Sequence, residues 1–182
     1  EITVEECEQT MGLRIDALVA HWYAKHRWEG PSIEETASTI VGRVASHVML
    51  SGVAKEGVLD ALNIIADQGL AIGLATSSPM ALVNAVLARL EIGHYFSICH
   101  SAEFEEYGKP HPAVYLQTAV QMGFHPKECV AIEDSFNGLL AAKAATMKTI
   151  VIPEAFQATN PHFSIADIRL SSLNELTVEH LV

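Results

Sequence analysis

A chain of 182 residues allows one compact domain, or a core with a small appendage. With 49% hydrophobic residues it can bury a sizeable core, yet no apolar run approaches the ~20 residues that span a bilayer, and no basic-then-apolar signal segment opens it. The formal net charge of −11 argues against a nucleic-acid surface, which needs basic clusters; it leaves room for a phosphorylated substrate, because a metal ion and one lysine can set the local field.

Cys7, Cys99 and Cys129 are odd in number and widely spaced, which fits neither a disulfide framework nor a zinc site and reads as reduced thiols in a cytoplasmic protein. The nine histidines are scattered without metal-ligand spacing and read as surface or core residues. The chain starts at Glu1 rather than at a methionine and gives no strand signal before its first helix, so it reads as a piece of a longer open reading frame.

In chain order, Ile15, Leu18, Val19, Trp22 and Tyr23 recur at helical spacing and predict a helix over roughly 13–26, broken by Gly30-Pro31. Ser32 and Glu35 form a Ser-x-x-Glu capping box. A second helix follows, with Ile33, Ala37, Ile40, Val41, Val44 and Val48 on one face and Ser51-Gly52 as its end. Residues 1–50 carry no strand signal and read as a small helical appendage. From Val53 the pattern changes. A helix over 55–68, with Val58, Leu59, Leu62 and Ile65 inward, precedes an apolar strand over 70–75. Thr76-Ser77-Ser78-Pro79 turns into the next helix, with Met80, Val83, Leu87 and Leu90 inward. A weaker strand over 96–100, an acidic loop, and a helix from Pro110-His111-Pro112 to Gly123 come next. Then come a strand over 129–132, a helix over 138–145, a strand over 149–152, a short strand over 168–170 and a terminal helix from Leu173. Alternating strands and helices predict a doubly wound parallel sheet. Right-handed crossovers bring all the strand carboxyl ends to one edge.

Three stretches place chemistry on that edge. Glu133-Asp134 ends the strand at 129–132; adjacent acids repel and so favour a bound cation, most simply Mg²⁺ with its oxygen ligands, although such pairs also cap helices. Thr76 offers a hydroxyl, and Ser77 and Ser78 offer N–H groups beside a helix start, a combination that attracts anions. Taken alone, Thr76 also suits a helix cap. Lys109 lies in a polar loop, the usual place of a solvated lysine.

The order is informative. An apolar strand ending in Thr76, then Gly108-Lys109-Pro110-His111-Pro112, then an apolar strand ending in Glu133-Asp134-Ser135 resembles the second, third and fourth motifs of the haloacid dehalogenase-like hydrolases. Residues 1–50 look like the small helical cap of one subfamily. Gly12-Leu13-Arg14-Ile15-Asp16, Trp22-Tyr23 and Trp28-Glu29-Gly30-Pro31-Ser32 are similar to caps of bacterial sugar phosphatases acting on hexose and hexitol phosphates. The resemblance implies a partial cap over 1–50, a partial α/β core over 51–182, and a Mg²⁺-dependent phosphatase working through an aspartyl-phosphate. Thr76 and Ser77 would hold the phosphate, Lys109 would neutralise its charge, Glu133 and Asp134 would bind the metal, Ser135 and Asn137 would steady the loop, and Arg14 would meet the sugar. The first motif, Asp-x-Asp, has no counterpart in the sequence. The resemblance therefore puts the nucleophile and its central strand upstream of Glu1. The intact protein is expected to be a monomer, whereas a chain without that strand exposes edges that invite dimerisation or aggregation and is expected to be inactive.

Three alternatives stand beside this reading. A sugar-phosphate mutase of the same family uses the same motifs. A binding module without catalysis would need no nucleophile. A signalling receiver domain also combines acids, a hydroxyl and a lysine, but in a different order along the chain.

Overall fold

In the computed structural model, which describes residues 2, 3, 6, 7 and 10–181, helices and parallel strands alternate from residue 58 onward. Two helices precede them, α1 (Ile15–His26) and α2 (Ile33–Ser51). The predicted capping box opens α2: Ser32 Oγ accepts from the Glu35 N–H at 3.1 Å, and Glu35 Oε2 accepts from the Ser32 N–H at 2.8 Å. Val19 and Trp22 of α1 are buried, as is Ala37 of α2. The second helix lies against α1 and also along α4 (Met80–Leu90), while Arg89 Nε donates to Gly52 O at 3.0 Å where α2 ends. Residues 15–51 are thus packed onto the α/β part through one of its helices.

Strands β1 (Ile72–Thr76) and β2 (Phe96–Ser101) pair in parallel. Strand β3 (Val130–Glu133) pairs in parallel with β4 (Lys148–Val151), which pairs with β5 (Ile168–Arg169). The expected sheet is therefore present as two parallel pieces. Their facing strands, β1 and β3, stand on either side of an apolar slot of about 410 Å³ lined by Leu74, Ala75, Ala131, Ile132, Tyr115 and Ala119. The slot also explains why β1, read from its apolar run as fully buried, is half-buried along its length. Helix α5 (Ala113–Met122) bridges the two pieces on one face: it lies on β1 and β2, while Val114, Tyr115 and Ala119 join Ala131 of β3 and Ala141 and Ala142 of α6 (Phe136–Ala144) in one cluster. On the other face α3 (Val58–Asp67) places Ala61 and Ile65 against Val130, Ile132 and Ile150. Successive residues of a strand point to opposite faces, so Glu133 shares the α5 side with Ala131.

Two local expectations are corrected. Leu59 is 51% exposed, and Ala61 is buried in its place; at 3.6 residues per turn Val58, Ala61, Leu62 and Ile65 define the inward stripe, and Leu59 falls off it. The terminal helix from Leu173 is instead two 3₁₀ turns, Leu173–Glu175 and Val178–His180. Ser172 caps the first through the Asn174 N–H, and Leu176 and Thr177 are extended between them, so local side-chain bonds displace the α-helical ladder. No helix among the described residues is long and apolar enough to cross a membrane.

Candidate functional site

The strand carboxyl ends open into a cleft of about 740 Å³ whose walls include Thr76, Ser77, Lys109, Glu133, Asp134 and Ser135. Of the residues expected to meet phosphate, metal or sugar, Thr76, Ser77, Lys109, Glu133 and Asp134 therefore line one cavity, and so does Ser135.

Lys109 is 8% exposed, far from the solvated lysine that its loop position suggested. Its Nζ donates to Glu133 Oε1 at 2.5 Å, to Ala75 O at 3.2 Å and to the Tyr115 hydroxyl at 3.3 Å. The ammonium thus spans the two sheet pieces, from the end of β1 to the end of β3. Tyr115 also donates to Glu133 Oε1. The other carboxylate oxygen accepts from Ser135 Oγ at 3.1 Å. Burial raises the Glu133 pKa, but the Lys109 charge and the bonds from Lys109, Tyr115 and Ser135 outweigh it, so the carboxyl sits below its usual range. Burial and the Glu133 charge push the Tyr115 phenol well above its usual value.

Asp134 lies open to the cleft just beyond β3. No described side chain donates a hydrogen bond to it. The surrounding protein and the Glu133 charge raise its pKa, and Lys55 opposes them. A carboxylate in this position is stabilised by a cation, whereas Glu133 already accepts from three side chains and from the Ser135 N–H. Among the described residues no three His, Cys, Asp or Glu side chains converge on one point. Glu133 and Asp134 thus fit part of the oxygen set that Mg²⁺ takes, a set that water and phosphate oxygens ordinarily help to complete.

On the opposite wall, Thr76 Oγ1 accepts from the Ser78 N–H at 3.0 Å, and Ser77 Oγ donates to Gly12 O at 3.0 Å. The segment at 11–14 crosses the edge here. It is held by Ser77, by Asn137 Nδ2 donating to Met11 O at 3.1 Å, and by Arg14. Gly12 has a φ of +79°, and a Cβ on it would sit 2.9 Å from Ser135 Oγ, so this close crossing needs glycine. Gly138 serves a similar end: an added Cβ would fall 2.0 Å from Glu133 Oε2. Ser135 Oγ also accepts from the Gly138 N–H at 3.0 Å, capping α6.

Arg14 is placed elsewhere. Its guanidinium pairs with Asp16 at 2.7 Å and donates to Ala102 O and Glu105 O, so it ties the start of α1 to the loop after β2 and is not among the cleft walls. Sequence reasoning missed Tyr115, Lys55 and Glu154. Lys55 and Glu154 form an ion pair at the cleft mouth. Tyr115 follows Lys109 by six residues on the inward face of α5, a spacing that marks a core aromatic as readily as a site residue.

Residues 4–146 match the haloacid dehalogenase-like hydrolase family. The chain is 42% identical over 177 residues to hexitol phosphatase B of Escherichia coli (strain K12), covering 97% of this chain and 80% of that protein. Among solved structures, CbbY from Rhodobacter sphaeroides in complex with phosphate superimposes with a TM-score of 0.88 at 24% identity, covering 99% of this chain and 83% of that one. The β-phosphoglucomutase from Clostridium difficile superimposes with a TM-score of 0.81 at 21% identity, covering 100% and 81%. At those identities the two structures establish the likeness of fold.

Proposed function

Because the chain belongs to the haloacid dehalogenase-like hydrolases, we propose that it is a phosphoric monoester hydrolase acting on small phosphorylated sugars, hexitol and hexose phosphates foremost. The observation that carries this reading is Lys109, buried between the end of β1 and Glu133 of β3 at the floor of a polar cleft. The 42% identity to a hexitol phosphatase supports the substrate class.

In the proposed reaction the phosphate lies at the strand edge. The Thr76 hydroxyl and the Ser77 N–H hold its oxygens, and the Lys109 ammonium neutralises charge that shifts during transfer. Glu133 and Asp134 would hold Mg²⁺, which supplies charge neutralisation at the phosphoryl oxygens. The nucleophile would be the first aspartate of an extended Asp-x-Asp segment, absent from residues 1–182, for which the slot between β1 and β3 has room. Its carboxylate oxygen bonds to phosphorus as the ester P–O bond breaks. The sugar leaves as an alcohol, its oxygen taking a proton from the second aspartate of that segment; water then gives a proton back to that aspartate as its oxygen bonds to phosphorus, the aspartyl P–O bond breaks, and inorganic phosphate leaves with the nucleophilic carboxylate restored.

The test, on protein that carries the Asp-x-Asp segment, is release of inorganic phosphate from a panel of hexitol and hexose phosphates with Mg²⁺. Stoichiometric free phosphate, lost on adding a chelator, is the expected result. Return of the phosphoryl group to the sugar would assign a mutase, and chelator-resistant turnover would remove the metal from Glu133 and Asp134.

A further inference from the structure

Lys109 and Glu133 meet on a third side chain. Tyr115 is 6% exposed, and its ring centroid lies 4.8 Å from the Lys109 ammonium. Its hydroxyl accepts from Lys109 Nζ and donates to Glu133 Oε1. A lysine ammonium carries three N–H groups. Lys109 has three acceptors, Ala75 O, Tyr115 Oη and Glu133 Oε1, so a phosphate oxygen reaches it when one of them is given up. Tyr115 lines the slot and not the cleft, so giving up its hydroxyl frees an N–H on the side away from the phosphate. The Ala75 carbonyl belongs to β1 and is fixed in its ladder. Letting go of Glu133 would ordinarily strand a buried carboxylate, a heavily penalised state. Here the phenol already donates to the same oxygen, and Ser135 Oγ donates to the other. Glu133 therefore keeps a donor on each oxygen when Lys109 turns away.

We propose that Tyr115 is a positioning residue, the standby donor that lets Lys109 exchange Glu133 for an oxygen of a phosphate in the cleft. This inference rests on the phosphate-ester reading of the cleft. In Tyr115→Phe the ring and its packing stay and the hydroxyl goes. Glu133 Oε1 then depends on Lys109, the pair tightens, and an entering anion must compete with it.

The experiment is calorimetric titration of the protein with inorganic phosphate, without divalent metal, for the unaltered chain, Tyr115→Phe, and Tyr115→Phe combined with Glu133→Gln. Tyr115→Phe should bind phosphate roughly 10-fold more weakly, about 1.4 kcal/mol. Removing the Glu133 charge in that background should restore affinity to within about threefold of the unaltered chain, as coupling through Glu133 requires. If Tyr115→Phe does not fold, Tyr115→Met fills the space without a hydroxyl and serves the same comparison. A lower unfolding midpoint with unchanged phosphate affinity in the hydroxyl-less variant, or no recovery in the double variant, overturns the role of the phenol alone. Absence of phosphate binding by the unaltered chain overturns the reading of the cleft beneath it.

Discussion

Lys109 carries a charge that the cleft uses twice, once to neutralise Glu133 and once, in the proposed reaction, to meet the phosphate. Removing it should be costly on both counts. Lys109→Ala should lower turnover by at least ~10²-fold, the scale of losing one preorganised charge stabiliser. It should also lower stability by about 2 kcal/mol, because Glu133 loses its counter-ion while the donors from Tyr115 and Ser135 stay in place. Initial rates of phosphate release and a denaturant titration check the two parts, and near-normal turnover would return Lys109 to a structural role. Gly138→Ala tests the neighbouring constraint. Its Cβ would displace the Glu133 carboxylate, so it should lower turnover by roughly 10-fold or more through the same charge network; unchanged kinetics would show that Glu133 has room to move. Thr76, Ser77, Lys109 and Glu133-Asp134 were legible because each sits at the end of an apolar run or in a loop where a polar residue stands out. Tyr115 was not, since an aromatic on the inward face of a helix looks the same whether its hydroxyl is used or idle. Arg14 shows the opposite case: its position near the start of a helix was readable, but its acceptors at Ala102 and Glu105 lie far along the chain.

Helices and strands here are fastened by short side-chain devices, and one of them gives a pH dependence. The Asp167 carboxylate accepts from Lys143 of α6 at 2.9 Å, from the Thr149 N–H of β4 at 2.7 Å and from Thr149 Oγ1 at 2.8 Å, just before β5. The Lys143 bond, with the two Thr149 bonds, holds its pKa down to about 2. An unfolded aspartate titrates near ~3.9, so the folded value is depressed. The contribution to stability is therefore fully present above about pH 4 and is lost as pH falls through about 2. Because the Asp167 side chain is 39% exposed, solvent screening limits the gain. Asp167→Asn should cost about 1 kcal/mol at neutral pH, with the difference from the unaltered chain shrinking between pH 4 and pH 2. Urea titrations across that range measure it, and a difference that does not change with pH would mean that the carboxylate's charge plays no part. The devices that lie within a few residues were readable from sequence, as Ser32 with Glu35 shows. The segment expected to be a helix from Leu173 is two 3₁₀ turns because Ser172 and Thr177 compete locally with the helical ladder.

The whole molecule shows where local pattern stops informing. Alternation of apolar strands and amphipathic helices made the parallel α/β layers legible, and the site fell at the strand carboxyl ends for the topological reason that such sheets share. Which strands pair is a long-range property, and the slot between β1 and β3 appears only when the whole chain is folded. The net charge belongs to this scale too. At −11, the protein should repel a phosphate ester dianion on approach. The cleft adds to this, since Glu56, Glu133, Asp134 and Glu154 outnumber Lys55 and Lys109 on its walls. A bound divalent cation offsets the imbalance inside the cleft, where the Lys109 charge also acts at contact distance, but not the field of the distant surface. Salt shortens that field from ~30 Å at 0.01 M to ~10 Å at 0.1 M. With Mg²⁺ held saturating, kcat/KM for a hexitol phosphate should therefore rise by roughly 2- to 5-fold over that range, an association effect, while kcat stays level because Lys109 and Glu133 are screened little in their buried setting. A fall in kcat/KM with salt would mean that Lys55 at the cleft mouth and the metal inside steer the substrate strongly enough to override the global charge.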